Sequence, residues 1–422
     1  MTNIHIGAAH VVLEEIMKRK IRPNAIQHRL LLTFANYFDS LSFDDSRCKA
    51  PLCFLNGAGG TGKSFVFPCL EEMANAERHK IAPSGITGVC CTAISTRTPF
   101  RTTSSLFKIP RDLSLANAPP LKDAALDQFA KRMEAVKLII VDEISFAHPS
   151  YLELINRRLK QVKNNDLDFG GVAVIVSGDF FQLPPVKADR IFSIAMKLKF
   201  AAKNANEQMN KDSTRLFTKF QRYELLEPNR CKDLNHLQFL TNMRQGDTTG
   251  LTEYIQEHIL SEKDRVTFKT APIISPGNPE RYYLGLALIK EFARQKSDRV
   301  ISWHLQAKFK GYKNSIIDEI THSSNKRNAN SVYKQNPQLS SHFVAGAPIF
   351  LTDNSNPNRG LANGVKAEQY ALVWHNERVR QQVLQFFNKA LFYSDGQNSS
   401  IYFYVINCFI QSTSETVTGH LS

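Results

Sequence analysis

The stretch Asn56–Phe65, NGAGGTGKSF, puts four glycines in six residues (Gly57, Gly59, Gly60, Gly62) and follows the last directly with Lys63 and Ser64. Gly57, Ala58, Gly59, Gly60, Thr61, Gly62, Lys63 and Ser64 together satisfy GxxxxGK[ST]. The apolar LCFLN precedes them and the helix-like SFVFPCLEEMANA follows, which is the strand-loop-helix setting that a phosphate loop requires. Glycines let the backbone turn so that successive N–H groups face phosphate oxygens, and the helix N-terminus adds partial positive charge. Lys63 would reach the β and γ phosphates of ATP, and Ser64 would give its hydroxyl to Mg2+. Pro68 lies inside the expected helix, where it would remove a backbone bond and cost about 3 kcal/mol if the helix ran on unkinked.

Two downstream strands extend the site. LIIVDEIS ends an aliphatic run in Asp142 and Glu143; a carboxylate at the C-terminal edge of a neighbouring parallel strand suits a magnesium ligand, and the adjacent one can act on the attacking water. VAVIVSGDFFQLPPV then ends a second buried strand at Gly178-Asp179, with Gln182 carried on a turn closed by Pro184 and Pro185. A neutral amide at that point can register a γ-phosphate without adding charge.

The chain has 422 residues, 42% of them hydrophobic, enough for two or three domains. Lys and Arg outnumber Asp and Glu by 53 to 39, a formal charge of +14, so a polyanionic partner is expected. Seven cysteines form no CxxC pair and read as buried thiols in a reducing, intracellular compartment. No apolar run spans a bilayer, and no membrane partner is expected. Oligomeric state is not legible.

Residues 1–45 read as a helical segment of two amphipathic helices divided at Pro23, and 46–220 as an α/β domain with a doubly wound parallel sheet. Residues 221–422 read as a second α/β domain, with strands at APIIS, VISWHL and GAPIFLT, a helix over ERYYLGLALIKEFARQ, and a polar, Asn-rich insertion over 308–338.

These stretches in this order, GDFFQLPPV above all, resemble the PIF (petite integration frequency) family of superfamily 1 DNA helicases. Further similarity lies in IAPSGITGV and TTSSLFKIP, in LLEPNRCKDLNHLQFLTNMRQGD, and in GAPIFLTDNSNPNRGLANG. The resemblance implies tandem RecA-like P-loop NTPase domains and an ATP hydrolase that moves 5′ to 3′ on single-stranded DNA and unwinds duplex junctions. It also implies roles in DNA repair, recombination and telomere maintenance, and a nuclear address. Carried over by position, Gln27 is similar to the family's adenine-reading glutamine, and Arg230 to the arginine that stabilises charge at the γ-phosphate. Thr102, Thr103 and Ser105 become candidates for DNA phosphate contacts, and Phe107 for a base-stacking platform.

Departures from the family pattern are specific. Ser104 stands where the family usually has histidine, and Thr87-Gly88 where it has two alanines. The family's last two segments, T.HKSQG and YVALSR, have no counterpart after GLANG, and no Lys or Arg follows Lys389. The second domain is therefore expected to be incomplete, with apolar surface at IYFYVINCFI poorly covered. An ATP-dependent helicase and a catalytically impaired nucleotide- and DNA-binding remnant both stay open on these residues. A small-molecule kinase would leave GDFFQLPPV and the basic charge without a role.

Overall fold

The computed structural model of the chain describes residues 7–43, 49–94, 96–110, 118–259, 261, 271–304, 340–352, 361, 363–373 and 407–412. The expected insertion at 308–338 lies outside them. The described chain divides into two compact units, one formed by Met1–Ile259 with Thr352–Gly364 and the other by Leu260–Leu351 with Val365–Ser422.

The first unit is built on a six-stranded, wholly parallel sheet. Its strands are β1 (Leu52–Gly57), β2 (Lys80–Gly85), β3 (Arg101–Thr102), β4 (Val136–Asp142), β5 (Ala173–Gly178) and β6 (Gln221–Leu225), in the order β3-β2-β4-β5-β1-β6. Parallel strands covered on both faces need apolar side chains throughout, which is why β4 and β5 read as unbroken aliphatic runs. Successive side chains then part to opposite faces. Leu138 and Ile140 join one core, and Ile139 and Val141 the other.

Helices α1 (Ala8–Lys18), α2 (Ala25–Ser42) and α3 (Val66–Ala76) cover the first face. After two single-turn helices, α4 (Cys90–Ala93) and α5 (Thr103–Leu106), the second face is covered by α6 (Asp123–Met133), α7 (Tyr151–Lys163) and α8 (Ala205–Phe217). The N-terminal helices are thus part of the first unit's core, not a separate segment: Leu30, Phe34 and Phe38 of α2 are fully buried together with Leu55 of β1 and Leu138 of β4. The unit ends with α9 (Leu234–Gln245) and α10 (Leu251–Glu257).

Three expectations change. β6 completes the first sheet beside β1, so the first unit runs past residue 220 to Ile259. Strand β5 lies between β1 and β4, so the acidic pair is one strand further from the phosphate loop than an adjacent-strand reading implied. Pro68 does not break its helix: a 3₁₀ turn spans Lys63–Phe65, and α3 begins at Val66, which puts Pro68 in the first helical turn. Backbone N–H groups there have no intrahelical acceptor to lose.

In the second unit the helix Asn278–Gln295 forms as expected, but the described strands pair antiparallel where a parallel sheet was anticipated. Ile301–His304 pairs with Ser340–Phe343, and Lys366–Val373 lies between Pro348–Phe350 and Asn407–Ser412. APIIS, at 271–275, is not a strand. Asn407–Ser412 overlaps the end of the apolar stretch expected to lack cover, and its backbone is paired with Lys366–Val373. Among the described residues no helix is long and apolar enough to cross a membrane.

Because α1 and α2 share the sheet's core, Phe34→Ala is expected to lower stability by about 3–5 kcal/mol, as for other buried phenylalanines. Chemical denaturation followed by circular dichroism checks this, and the helices should melt with the first unit in one transition.

Candidate nucleotide site

Parallel strands deliver their loops to one edge, and the C-terminal ends of β1, β4, β5 and β6 carry the sequence-predicted residues. Gly60 and Gly62 adopt φ +83° and +89°, the left-handed region that glycine enters without a Cβ clash. A Cβ on Gly60 would sit 2.8 Å from Arg230 Cβ, and one on Gly62 2.8 Å from Gln27 Nε2. The motif's glycines therefore serve both the turn and the close approach of two other segments.

The buried Lys63 folds back over the loop, its Nζ donating to the carbonyls of Gly57 (2.7 Å) and Ala58 (3.0 Å). The ammonium is held in place by acceptors that a phosphate can replace. Ser64, one residue on, is exposed.

A cavity of about 440 Å³ opens over this loop. Lys63, Ser64, Asp142, Glu143, Gln182 and Arg230 all line it, as do Gly59, Gly60 and Gly62. Residues from four separate stretches of sequence thus meet in one place. Asn229 and Phe65 also line it, and neither was singled out from sequence.

Electrostatics at the acidic pair fit a cation site. Asp142 is buried and accepts from Ser177 Oγ on the intervening strand. Burial pushes its carboxyl above the usual range, only partly opposed by Ser177, the Glu143 backbone and the Lys63 charge. Glu143 is also pushed up, first by burial and then by the neighbouring Asp142 charge. Its backbone is left-handed at φ +58°, a conformation costly for a residue with a Cβ. Among the described residues, Glu143 Oε2 is a buried oxygen without a hydrogen-bond partner. An orphaned carboxylate oxygen in a polar cleft has the chemistry to receive a water proton. The hydroxyl of Ser64 and the carboxylate of Asp142 form the sparse, all-oxygen donor set that suits Mg2+, which takes its other ligands from water and phosphate.

Gln27 lies behind the loop. Asn24 and Gln27 form a capping box at the start of α2, with each side chain bonded to the other's backbone N–H at 2.9 Å. Gln27 Nε2 also donates to the Gly62 carbonyl at 3.0 Å. The side chain is buried, so the structure gives Gln27 a loop-holding contact where an adenine-reading role was expected.

The DNA-contacting expectations divide. Thr102 is half-buried and caps α5 by accepting from the Ser105 N–H, and Ser105 is exposed. Thr103 is 0% exposed and donates to Ser84 Oγ, and Phe107 is 0% exposed with its ring edge-on to Phe129. Neither can meet a nucleic acid without unfolding the core, so the stacking platform at Phe107 and the phosphate contact at Thr103 are corrected. The Phe107 ring fills the second core beneath the segment, and the Thr103 hydroxyl is bonded to Ser84 of β2. Beside Thr102, the Arg101 charge reaches Arg132, whose guanidinium is held below its ordinary range by burial and then by that charge.

A family model described as PIF1-like helicase matches residues 38–253 of this chain. The ATP-dependent DNA helicase Pif1 of Psychrobacter sp. is 36% identical over 137 residues, which cover 32% of this chain and 20% of that protein. The ATP-dependent DNA helicase Pif1 of Campylobacter jejuni is 26% identical over 224 residues, 51% of this chain and 44% of that one. The chain thus spans less than half the length of either relative. Bacteroides Pif1 bound to single-stranded DNA aligns over 81% of this chain and 69% of its own, at 19% identity and TM-score 0.46.

Two substitutions separate structural from chemical roles. Asp142→Asn removes a charge that burial disfavours, so nucleotide-free protein should gain about 2–4 °C in Tm, the shift that ~1 kcal/mol produces in a domain of this size. The sign follows from linkage: with its folded pKa raised, the wild-type carboxyl lowers stability as pH climbs above its unfolded value. The gain should therefore fade in scans at acid pH. Phe107→Ala should instead cost about 3–5 kcal/mol, read by chemical denaturation.

Proposed function

The chain belongs to the PIF1-like helicase family, and from that premise we propose that it is an ATP-dependent DNA helicase coupling hydrolysis to movement along single-stranded DNA and to opening of duplex junctions. The observation that carries this reading is the single cleft in which Lys63, Asp142, Glu143, Gln182 and Arg230 meet over a phosphate-binding loop. The 5′-to-3′ direction, and a setting in repair, recombination or telomere maintenance, extend the proposal along the resemblance.

The chemistry follows from the positions. Lys63 Nζ exchanges the Gly57 and Ala58 carbonyls for oxygens of the β and γ phosphates, and backbone N–H groups of the loop other than that of Thr61, which donates to the Ala58 carbonyl, complete the cradle. Ser64 and Asp142 would hold Mg2+, which would supply neutralisation of phosphate charge. Glu143 orients a water and takes its proton as the water oxygen bonds to the γ phosphorus. The bond from that phosphorus to the β–γ bridging oxygen breaks, and ADP leaves with the electron pair. Arg230, exposed at the cavity wall, offers a guanidinium to the charge that develops, and Gln182 a neutral amide to the γ-phosphate.

For the strand, Thr102, Ser105 and Lys108 are accessible on the TTSSLFKIP segment and the Arg101 and Arg132 charges lie beside it, a set that suits phosphates more than bases. Recognition through phosphates is largely sequence-independent and salt-dependent.

Steady-state ATP hydrolysis with and without single-stranded DNA, with Lys63→Ala as the blank, tests the proposal. Hydrolysis that rises with DNA and falls at least a hundredfold in Lys63→Ala supports it; removal of one preorganised donor from a transition state costs about that much. Binding of ATP without turnover, at any DNA concentration, would replace it with a nucleotide-binding reading. Affinity for the strand should also fall about tenfold or more between roughly 50 and 200 mM salt, and a flat response would remove the phosphate contacts from the account.

A further inference from the structure

Helix α9 contributes nothing to the core: none of its residues is buried. Along its length it meets α10, where Phe239 stacks on Tyr254 at 3.9 Å between ring centres and His236 Nδ1 pairs with the Tyr254 hydroxyl at 2.7 Å, and its two ends tie it to the edge of the sheet. At the N-terminal side, the backbone N–H groups of Asn229 and Arg230 donate to the Gly60 carbonyl at 2.8 and 3.2 Å, and Asn229 Nδ2 donates to the Thr61 carbonyl at 3.2 Å. At the C-terminal side, Arg244 meets Asp179 in a two-pronged pair, Nη1 to Oδ2 at 2.7 Å and Nη2 to Oδ1 at 3.0 Å. Twelve residues of helix, about 18 Å, thus join the phosphate loop to the turn that follows β5.

That turn carries Gln182. Asp179 organises it from within: its Oδ1 accepts from the Phe181 N–H at 3.0 Å, and its carbonyl accepts from the Gln182 N–H at 3.0 Å. The Arg244 guanidinium also lies over the Phe181 ring, 4.5 Å from its centre. Asp179 is 1% exposed, so its carboxylate depends on a partner that brings both charge and fixed geometry.

We propose that Arg244 is a positioning residue for γ-phosphate recognition, holding Gln182 at the cleft through Asp179 and registering it against the phosphate loop through α9. The inference rests on the ATP-hydrolysing reading of this cleft. It assigns the arginine in the middle of TNMRQGD a task at the nucleotide site, although Arg244 does not line the cavity. A lysine at this position keeps the charge and loses the fork, so Arg244→Lys isolates the geometry.

The test is equilibrium binding of ADP and of a non-hydrolysable ATP analogue, each with magnesium, to the wild type, Gln182→Ala, Arg244→Lys and the double variant. The wild type should prefer the triphosphate. Arg244→Lys should keep ADP affinity within about twofold and lose about tenfold of the preference, the fold-change for one hydrogen bond to a charged group. In the double variant the loss should match that of Gln182→Ala alone. The paired change Asp179→Asn with Arg244→Gln leaves no buried charge alone and should give the same loss in a stably folded chain. Additive losses, an equal loss of ADP affinity, or an unchanged preference in Arg244→Lys would overturn the assignment. A wild type whose nucleotide binding does not depend on Lys63 would instead overturn the functional reading, and this inference with it.

Discussion

One carbonyl oxygen organises the nucleotide site. The Gly60 C=O, turned outward by a left-handed backbone, accepts from both Asn229 and Arg230, and so ties the phosphate loop to the chain that leaves β6. Without that tie Arg230 would sit on an exposed connection held to the loop only through the neighbouring Asn229 side chain, which donates to the Thr61 carbonyl at 3.2 Å. The same constraint explains why Gly60 cannot carry a side chain, because a Cβ would enter the space of Arg230 Cβ. Gln27 adds a second tie from behind through the Gly62 carbonyl, and the Lys63 ammonium a third through Gly57 and Ala58. The loop is held largely by contacts to its carbonyls, and apart from the Thr61 N–H, which donates to the Ala58 carbonyl at 3.4 Å, its N–H groups can serve an anion.

The parallel sheet supplies the other half of the arrangement. Its strands are buried on both faces, so their apolar runs end abruptly where the sheet meets solvent, and polar residues begin at that edge. Asp142 and Asp179 mark two such ends, with Ser177 of β5 bonded to the carboxylate of Asp142. Burial disfavours both members of the acidic pair in their charged forms, and Glu143 adds a left-handed backbone. Stability is given up there, a cost that clusters at functional sites and fits the cation and water roles proposed for the pair.

What was legible in the sequence was local. The phosphate loop, the acidic pair and Gln182 each announce themselves within a few residues of a strand end, and the cavity brings all of them together. The ties were not legible, because their partners are remote: 35 residues separate Gln27 from Gly62, and 65 separate Arg244 from Asp179. The Asn24 to Gln27 spacing did hold a readable signal, that of a capping box, and it accounts for part of what Gln27 does. Phe107 misled because a single-turn helix has no periodicity to show which face is buried. Pro68 misled because a 3₁₀ turn, invisible to pattern reading, delays the α-helix to Val66. In the second unit, apolar runs marked two of the three expected strands but could not distinguish antiparallel pairing from parallel.

Amide hydrogen exchange in the presence and absence of a non-hydrolysable ATP analogue with magnesium tests the central claim most directly, since four remote segments are held to form one site. The account predicts that protection rises together over residues 57–65, 142–146, 179–182 and 229–230. Protection confined to 57–65 would contradict it, leaving a phosphate loop that binds nucleotide with no assembled hydrolytic site around it.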